Sequence, residues 1–341
     1  KADSVMSFVY SLMKHFDLLD GDQDFLEDYK ELGRTFLEYL ETGTIEVEEI
    51  EKFMNLNGDR FGFDYVFIDE GQDWTPEEVR LIKTLYEPNQ IVVADGMDQL
   101  VRGEIADWRG SLSQSDIRIH RLRRCLRMKA NLARFCNSFA KEVGLVDWNI
   151  QPNDDAGGGR ISIVVGKYNF GSDYDEKFCE DAYETGNKPV DLLVCVPPSY
   201  AKIDAEDQKS YLANTFEGLG RKVWDGLSED GRKSIPSSVE AFRLVQYDSC
   251  RGLEGWAVFA LAFDKFWEFK TSSAEEAQKA ERDFFISEED HARQVAARWL
   301  MIVLTRAIDH LVINIENSES EIGNSLRNVY EANNDFVEWY E

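Results

Sequence analysis

Two neighbouring carboxylates, Asp69 and Glu70, follow directly after an apolar run in the stretch YVFIDEGQD. An apolar run that ends in acids is typical of a buried strand of a parallel sheet, and open α/β sheets bind ligands at the carboxyl ends of their strands. One carboxylate there can hold Mg²⁺ while the next polarises an attacking water. The alternative is an ordinary strand-to-loop transition with two solvated acids.

A second candidate for chemistry is the basic segment of residues 117–134, which contains no acid. Its cationic residues are Arg118, Arg121, Arg123, Arg124, Arg127, Lys129 and Arg134. In a chain of net charge −27 this is the strongest local departure from acidity. It predicts either a surface that faces phosphate groups or a helix whose cations form salt bridges with the acidic N-terminal region.

Alternating strand and helix patterns surround these residues. Residues 1–60 are acidic, with apolar residues at helical spacing, and the runs DYVFID and QIVVAD then flank the helical pattern PEEVRLIKTLY. Beyond the loop QPNDDAGGGR, strand patterns ISIVV, DLLVCV, FRLVQY, AVFALAF and HLVINIE alternate with helical ones, which include DAEDQKSYLANTFEGLG and HARQVAARWLMIVLTRAI. This order predicts an α/β fold with parallel sheets flanked by helices.

Composition narrows the class of protein. The 341 residues are enough for about two domains, and no apolar run reaches the length that spans a bilayer. The five cysteines are odd in number and show no CxxC spacing, which argues against structural zinc and disulfides and favours a reducing, cytoplasmic location. The acidic charge argues against broad, non-specific DNA coating, although a local basic groove remains compatible with it.

The motifs, read in order, resemble a known family. DEGQD is similar to the DExQD box of UvrD/Rep-like superfamily 1 DNA helicases, and ADGMDQ and the WRG at residues 108–110 resemble the motifs that follow it. LRRCLRMKANLARFCNSFA, VQYDSCRGLEG and ARWLMIVLTRAIDHLVI resemble the family's arginine, GLE and LTRA motifs. The resemblance covers the chain from about residue 60 onward.

The resemblance implies two RecA-like P-loop NTPase domains, the first one incomplete. Residues 1–117 would be the partial first domain, and residues 118–341 the second, with no large accessory insertion. It also implies an ATP-dependent enzyme that couples hydrolysis between the two domains to movement along single-stranded DNA, with ATP and Mg²⁺ as cofactors.

The resemblance also implies roles for individual residues. Asp69 would hold Mg²⁺, with Glu70 beside it as a further metal contact and the group that activates water. Gln99 would sense the γ-phosphate, and Arg127 and Arg306 would act as arginine fingers. Gly252 and Glu254 would contact the nucleotide, and the nucleic-acid contacts would be Trp108, Arg109, Tyr247 and Ser249. Trp108 has a second interpretation as a core tryptophan, because Gln99 and WRG are separated by three more residues here than in the family.

Several features depart from the family pattern. No stretch of the chain resembles the phosphate-binding loop GxxxxGK(S/T), so we expect either a fragment of a longer protein or a natural protein that lacks the loop. Asp248 stands where the family usually has a histidine near nucleic acid, and a carboxylate there would repel phosphate. Cys125 and Leu126 replace the usual Asn-Tyr before Arg127.

These departures keep a second hypothesis open. The chain could be a nucleotide-dependent switch that controls a partner, such as a nuclease, and unwinds nothing. Stimulation of ATP hydrolysis by single-stranded DNA would support a translocase, and no stimulation would support the switch. A purely structural relic is disfavoured because Asp69, Glu70, Gln99, Arg127 and Arg306 are all present.

Overall fold

Two compact units make up the chain, residues 1–120 and residues 121–341. The computed structural model describes residues 4–19, 25–61, 63–95, 107–110, 117–120, 124–145, 148–278 and 288–341. Gln99 lies outside the described residues, as do Arg121 and Arg123 of the basic segment.

The first unit is a small α/β structure built on two parallel strands. Its elements are α1 (Val5–His15), α2 (Phe25–Glu41), α3 (Val47–Leu56), α4 (Gly58–Phe61), β1 (Val66–Ile68), α5 (Pro76–Leu85) and β2 (Ile91–Val93). Val66 pairs with Ile91 and Ile68 with Val93, which confirms the predicted strand–helix–strand unit. The inward side chains of both strands join the apolar faces of the helices in one core.

A capping box at Thr75 and Glu78 starts helix α5 and so fixes the end of the loop that follows β1. Thr75 Oγ1 accepts a hydrogen bond from the Glu78 backbone N–H at 3.2 Å, and Glu78 Oε2 accepts one from the Thr75 N–H at 2.7 Å. Pro76 fits the first helical position because its missing N–H is not needed there. Tyr29 on α2 donates to Glu78 Oε1 at 2.9 Å, so the cap is also tied to the helical layer. The loop that carries Asp69 and Glu70 therefore runs between two well-defined ends.

The second unit contains a parallel sheet of seven strands flanked by helices. Its strands are β3 (Arg160–Val165), β4 (Leu192–Val196), β5 (Lys222–Asp225), β6 (Ala241–Gln246), β7 (Gly255–Ala260), β8 (Ala307–Ile315) and β9 (Val337–Tyr340). Their order across the sheet is β5-β6-β4-β7-β8-β3-β9, and every pairing is parallel. Its helices are α6 (Ala130–Glu142), α7 (Asp173–Glu184), α8 (Tyr211–Gly218), α9 (Glu229–Arg232), α10 (Phe263–Gln278), α11 (Glu288–Leu304) and α12 (Glu321–Ala332).

The α/β class and the parallel sheet predicted from the sequence are confirmed, with local differences. The five predicted strands of this unit correspond to β3, β4, β6, β7 and β8, whereas β5 and β9 were not predicted. Both are edge strands of only four residues, KVWD and VEWY, which is too short for a clear apolar run or alternation. Helix α11 ends at Leu304, two residues before Arg306, because the chain then turns directly into β8.

No helix within the described part of the chain is long and apolar enough to cross a membrane.

Candidate functional site

The loop after β1 brings the two predicted catalytic carboxylates to the carboxyl end of the strand. Glu70 adopts a left-handed backbone conformation with a φ of 50°, which is uncommon for a residue other than glycine. Asp69 Oδ1 accepts a hydrogen bond from the Glu70 backbone N–H at 3.0 Å. The Gln72 side-chain amide donates to Glu70 Oε2 at 2.6 Å. The chain thus reverses immediately after the strand, and the Glu70 carboxylate is oriented by Gln72.

The chemistry of these donors suits a hard cation. Asp69 is exposed and Glu70 is half-buried, and carboxylate oxygens are the ligands that Mg²⁺ prefers. Magnesium is usually held in proteins by one or two carboxylates together with water and substrate phosphates. In the described ranges, no group of three or more His, Cys, Asp or Glu side chains could hold a metal ion. Binding of Mg²⁺ and ATP stays a prediction.

Gly71 explains how this loop packs against the neighbouring strand. Its N–H donates to the Ala94 carbonyl at 2.8 Å, and a Cβ added at Gly71 would lie 2.3 Å from Val93 Cγ1. The close approach to β2 therefore requires glycine. Its carbonyl accepts a hydrogen bond from Trp108 Nε1 at 2.7 Å.

Trp108 is a core residue, which corrects the expectation that it stacks on a nucleic-acid base. Its side chain is 8% exposed and its ring meets Trp74 edge-on, with 5.5 Å between the ring centroids. The indole N–H donates to the Gly71 carbonyl, so the ring is buried and its polar atom is hydrogen-bonded inside the unit. The structure favours the second interpretation of this tryptophan.

The neighbouring residue Arg109 lies at the surface in a tight turn. Asp107 Oδ1 accepts hydrogen bonds from the backbone N–H groups of Arg109 and Gly110 at 3.0 and 2.8 Å. Lys83 on α5 donates to the Asp107 and Gly110 carbonyls. The Arg109 side chain lies 3.8 Å from Asp95 in an exposed ion pair. Its proposed contact with nucleic acid stays a prediction.

In the second unit, three motifs that are far apart in sequence meet at the amino ends of β7 and β8. Arg127 Nε lies 3.1 Å from Glu254 Oε2, and Arg127 Nη1 donates to the Thr305 carbonyl at 3.3 Å. Because Gly255 and Ala307 are paired at the start of these strands, the residues that precede them are brought side by side. Gly255 N–H also donates to the Arg306 carbonyl at 3.0 Å. The arginine, GLE and LTRA motifs therefore form one cluster.

Further cationic residues surround this cluster. Arg243 on β6 donates from Nη2 to the Glu254 carbonyl at 2.6 Å. Lys129 pairs with Asp309, and its ammonium lies 5.2 Å from the centroid of the Trp256 ring. Sequence reasoning did not assign a role to Arg243, although a cation inside the apolar run FRLVQY was a usable signal, since a charge in a buried strand needs a partner.

Three of the five cations of the basic segment that the structure describes form ion pairs within the second unit. Arg124, Arg127 and Lys129 form ion pairs with Asp155, Glu254 and Asp309, all of which belong to residues 121–341. The salt-bridged interpretation thus holds for these residues, but their partners are not in the acidic N-terminal region. Arg134 on α6 is exposed.

Arg306 lies in the turn between α11 and β8. Its side chain is 3% exposed, and it donates from Nε to the Ile302 carbonyl at 2.9 Å and from Nη2 to Thr305 Oγ1 at 3.2 Å. Its role as an arginine finger stays a prediction. Gly252 has a φ of 78°, a conformation that favours glycine over other residues. A Cβ added there would meet no atom within 4 Å, so a ligand has room to approach the Gly252 backbone.

Of the other predicted nucleic-acid contacts, Tyr247 is corrected by the structure. It is 1% exposed, its hydroxyl donates to the Leu261 carbonyl at 2.8 Å, and its ring stacks on Phe266. A side chain buried in this way has no surface to offer to nucleic acid. Ser249 is exposed, and its role stays a prediction.

Asp248 is already paired inside the unit. Its Oδ1 lies 2.6 Å from Lys270 Nζ, and that ammonium lies 3.8 Å from the centroid of the Trp299 ring. The carboxylate expected to repel phosphate is therefore opposed by a positive charge held between α10 and α11.

Comparisons with known proteins add little to this geometry. No family model matches the chain, and no curated protein matches it. A solved structure, the C-terminal domain of a possible DNA helicase from Lactobacillus plantarum WCFS1, is 13% identical, with a TM-score of 0.34. The match covers 64% of this chain and 100% of that one. A likeness this low carries no argument about the function of this chain.

Proposed function

We propose that this chain is part of an ATP-dependent translocase on single-stranded DNA of the UvrD/Rep-like type, built on RecA-like domains. The observation that carries the proposal is the cluster of Arg127, Glu254 and the Thr305–Arg306 turn. Residues 127 and 305 are far apart in sequence, yet Arg127 reaches both Glu254 and the Thr305 carbonyl. The motif resemblance assigns these same three segments to a nucleotide site.

The electrostatics of the cluster suit a polyphosphate. Phosphoryl transfer is accelerated mainly by positive charge placed on the oxygens of the transferred group. The side chains of Arg127 and Glu254 are 39% and 57% exposed, so Arg127 can exchange Glu254 for a phosphate without leaving a buried charge unpaired. Arg243 adds a further cation beside Glu254, whereas the charge of Lys129 is balanced by Asp309.

The first unit would supply the groups that act on water. Bound Mg²⁺ would neutralise charge on the phosphates, and Asp69 would hold it at the exposed end of β1. Glu70, oriented by the Gln72 amide, would accept the proton of the attacking water. The left-handed backbone at Glu70 supports this role, because such strain is typically retained where a side chain must point in one direction.

A second candidate function is a nucleotide-dependent switch that controls a partner without unwinding DNA. The burial of Trp108 and Tyr247 favours it, since two of the four expected nucleic-acid contacts lie inside their units. The ion pair between Asp248 and Lys270 points the same way, because it occupies a position that the resemblance assigns to nucleic acid.

The proposal is tested by ATP hydrolysis of the protein as its gene encodes it. Arg127→Ala should lower turnover by about 10³–10⁵-fold, the range of arginine fingers, with nucleotide affinity changed much less. Arg124→Ala is the matched control. Arg124 lies three residues before Arg127 in the sequence and pairs with Asp155 at the surface. Equal rates for the two variants would remove Arg127 from the catalytic residues.

The same assay separates the two functions. A translocase should be stimulated by a single-stranded oligonucleotide, with a stimulation that falls as salt rises, because each phosphate contact releases a counterion. A switch should hydrolyse ATP at one rate with and without the oligonucleotide.

A further inference from the structure

Arg243 is a cation on β6 for which the sequence motifs provide no role. The residues on either side of it, Phe242 and Leu244, pack in the apolar core on one face of the seven-stranded sheet. Because successive side chains of a strand point to opposite faces, Arg243 points to the other face. A charged side chain within a sheet needs a specific partner, since removing a charge from water costs free energy.

The connection between β6 and β7 brings Arg243 to the arginine cluster. These two strands lie on either side of β4, so residues 247–254 cross β4 before β7 begins. At the end of this crossing, Arg243 Nη2 donates to the Glu254 carbonyl at 2.6 Å. The Glu254 carboxylate in turn lies 3.1 Å from Arg127 Nε. Arg127 and Arg243 therefore contact the same residue, one at its side chain and the other at its backbone.

The charge of Arg243 is incompletely compensated. The Glu254 carbonyl is a neutral acceptor, and no carboxylate of the described residues lies within ion-pair distance of the Arg243 guanidinium. Its Nε is buried and has no hydrogen-bond acceptor in the same part of the chain. Burial lowers the pKa of Arg243, and the charges of Asp191 and Glu254 act in the opposite direction. Arg127 and Lys129, by contrast, each have a carboxylate partner.

The outer end of Arg243 is accessible to a dissolved ion. Arg243 is half-buried and Glu254 is exposed, so the hydrogen bond between them lies at the surface of the unit. A guanidinium carries five N–H donors in a planar fork that matches phosphate oxygens. Two such groups on one residue offer more donors than that residue can accept. The remaining donors of Arg127 and Arg243 are therefore suited to a multiply charged anion.

We propose that Arg127 and Arg243 together bind a polyphosphate, with Arg243 as a direct phosphate ligand. A polyphosphate suits the pair better than a single phosphate, because its charges are spread along a chain that can contact two guanidinium groups. Its binding draws Arg127 away from the Glu254 carboxylate, while Arg243 keeps its bond to the Glu254 carbonyl and holds this segment in place. In ATP the polyphosphate is the triphosphate, so this ligand rests on the proposed function; free inorganic polyphosphate has the same chemistry.

The experiment is isothermal titration calorimetry with inorganic tripolyphosphate and with ATP, both at physiological salt and without Mg²⁺. It compares the full chain with Arg243→Gln, Arg127→Gln and Glu254→Gln. Arg232→Gln is the matched control, because Arg232 on α9 also donates from Nη2 to a backbone carbonyl, that of Leu227, but follows the edge strand β5. Circular dichroism and thermal melts would verify that each variant is folded. Arg243→Met is a second neutral variant, since its unbranched side chain can fill the space of the arginine stem.

We expect the neutral Arg243 variants and Arg127→Gln to bind tripolyphosphate about tenfold or more weakly than the wild type, as loss of a charge-assisted hydrogen bond implies. Arg232→Gln should bind like the wild type. Glu254→Gln should bind about fivefold more tightly, which is the effect of removing one like charge at about 4 Å in water.

Unchanged affinity in the neutral Arg243 variants would overturn the proposal, as would a wild type that does not bind tripolyphosphate. An equal loss in Arg232→Gln would show general charge attraction and would overturn it too. Binding of ATP with the same dependence on Arg243 would support a nucleotide as the ligand, whereas binding of tripolyphosphate alone would support the site and count against a nucleotide. ATP hydrolysis that needs Arg127, together with unchanged affinity in the Arg243 variants, would leave the proposed function standing without this ligand.

Discussion

At the scale of single residues, burial decides which predicted contacts can operate. Arg127 and Glu254 are partly exposed and face each other, so both remain available to a ligand. Trp108 and Tyr247 have the residue types expected for base stacking, but each has its polar atom bonded to a carbonyl of its own unit. The same aromatic side chain can serve a core or a surface, and only its neighbours distinguish the two.

The first prediction concerns Trp108→Ala. Because the indole is buried and bonded to Gly71, its removal should lower the free energy of unfolding by about 3 kcal/mol. Oligonucleotide affinity should equal that of the wild type. Urea unfolding and fluorescence anisotropy measure the two effects, with the exposed Arg109→Ala as a control that leaves stability nearly unchanged. Weaker oligonucleotide binding with unchanged stability would restore the stacking role.

The second prediction concerns His310, which is buried on β8 with Nε2 3.0 Å from Ser162 Oγ. Burial, and then the charges of Arg160 and Lys177, lower the pKa of His310 to about 3. An unfolded histidine titrates near pH 6.5, so the unfolded state binds more protons between about pH 3 and 6.5. The stability contributed by neutral His310 is complete above this window and is lost as pH falls through it, at up to about 1.4 kcal/mol per unit.

His310→Gln keeps a hydrogen-bonding group for Ser162 but does not titrate. We expect its free energy of unfolding to fall less than that of the wild type between pH 7 and pH 5. Urea titrations at the two pH values give this difference directly. The same decrease in both proteins would mean that His310 does not carry the effect.

At the scale of elements, an ion pair links the loop after β6 to the α10–α11 pair. Asp248 on that loop meets Lys270 on α10, and Lys270 in turn lies against Trp299 on α11. The loop continues to Glu254, and α11 continues to Arg306. The ion pair therefore helps to set the distance between two parts of the arginine cluster.

The third prediction is a double-mutant cycle on this pair. Asp248→Asn leaves the largely buried Lys270 ammonium without its carboxylate, and Lys270→Met removes the ammonium. Since Asp248 is partly exposed and solvent weakens the attraction, we expect a coupling of about 1 kcal/mol in unfolding experiments. The fully exposed pair of Glu229 on α9 and Lys233 directly after it is the control, and we expect its coupling to be smaller because solvent screens it. Equal coupling in the two cycles would contradict a special role for Lys270.

At the scale of the whole molecule, the chain carries the carboxylates and arginines to which the proposed function assigns catalysis, but no sequence that resembles a phosphate-binding loop. Without backbone N–H groups and a lysine to hold the β- and γ-phosphates, nucleotide positioning is incomplete. The fourth prediction is that residues 1–341 alone hydrolyse ATP with a turnover rate far below that of kinases, which is typically about 1–100 s⁻¹.

Phosphate release in the presence of Mg²⁺ measures this rate, and Glu70→Gln identifies any contaminating ATPase, since a contaminant is unaffected by the substitution. A magnesium-dependent turnover in the kinase range that Glu70→Gln abolishes would show that these residues suffice for hydrolysis.

The amino-acid sequence alone determined the α/β class, the first strand–helix–strand unit and most strands of the larger sheet. These follow from local apolar runs and helical periodicity, which neighbouring residues encode directly. It also indicated Asp69, Glu70, Arg127 and Glu254 as one set, because their motifs occur in a recognisable order.

Tertiary structure alone decided which of those side chains meet and which face solvent. Arg127 and Glu254 become neighbours because Gly255 and Ala307 start adjacent parallel strands, a pairing that no local pattern specifies. Likewise, Phe67 and Trp108 are both aromatic, yet the first is exposed and the second is buried. Exposure depends on what packs across the sheet and beyond the neighbouring loop, and those contacts join residues that are distant in sequence.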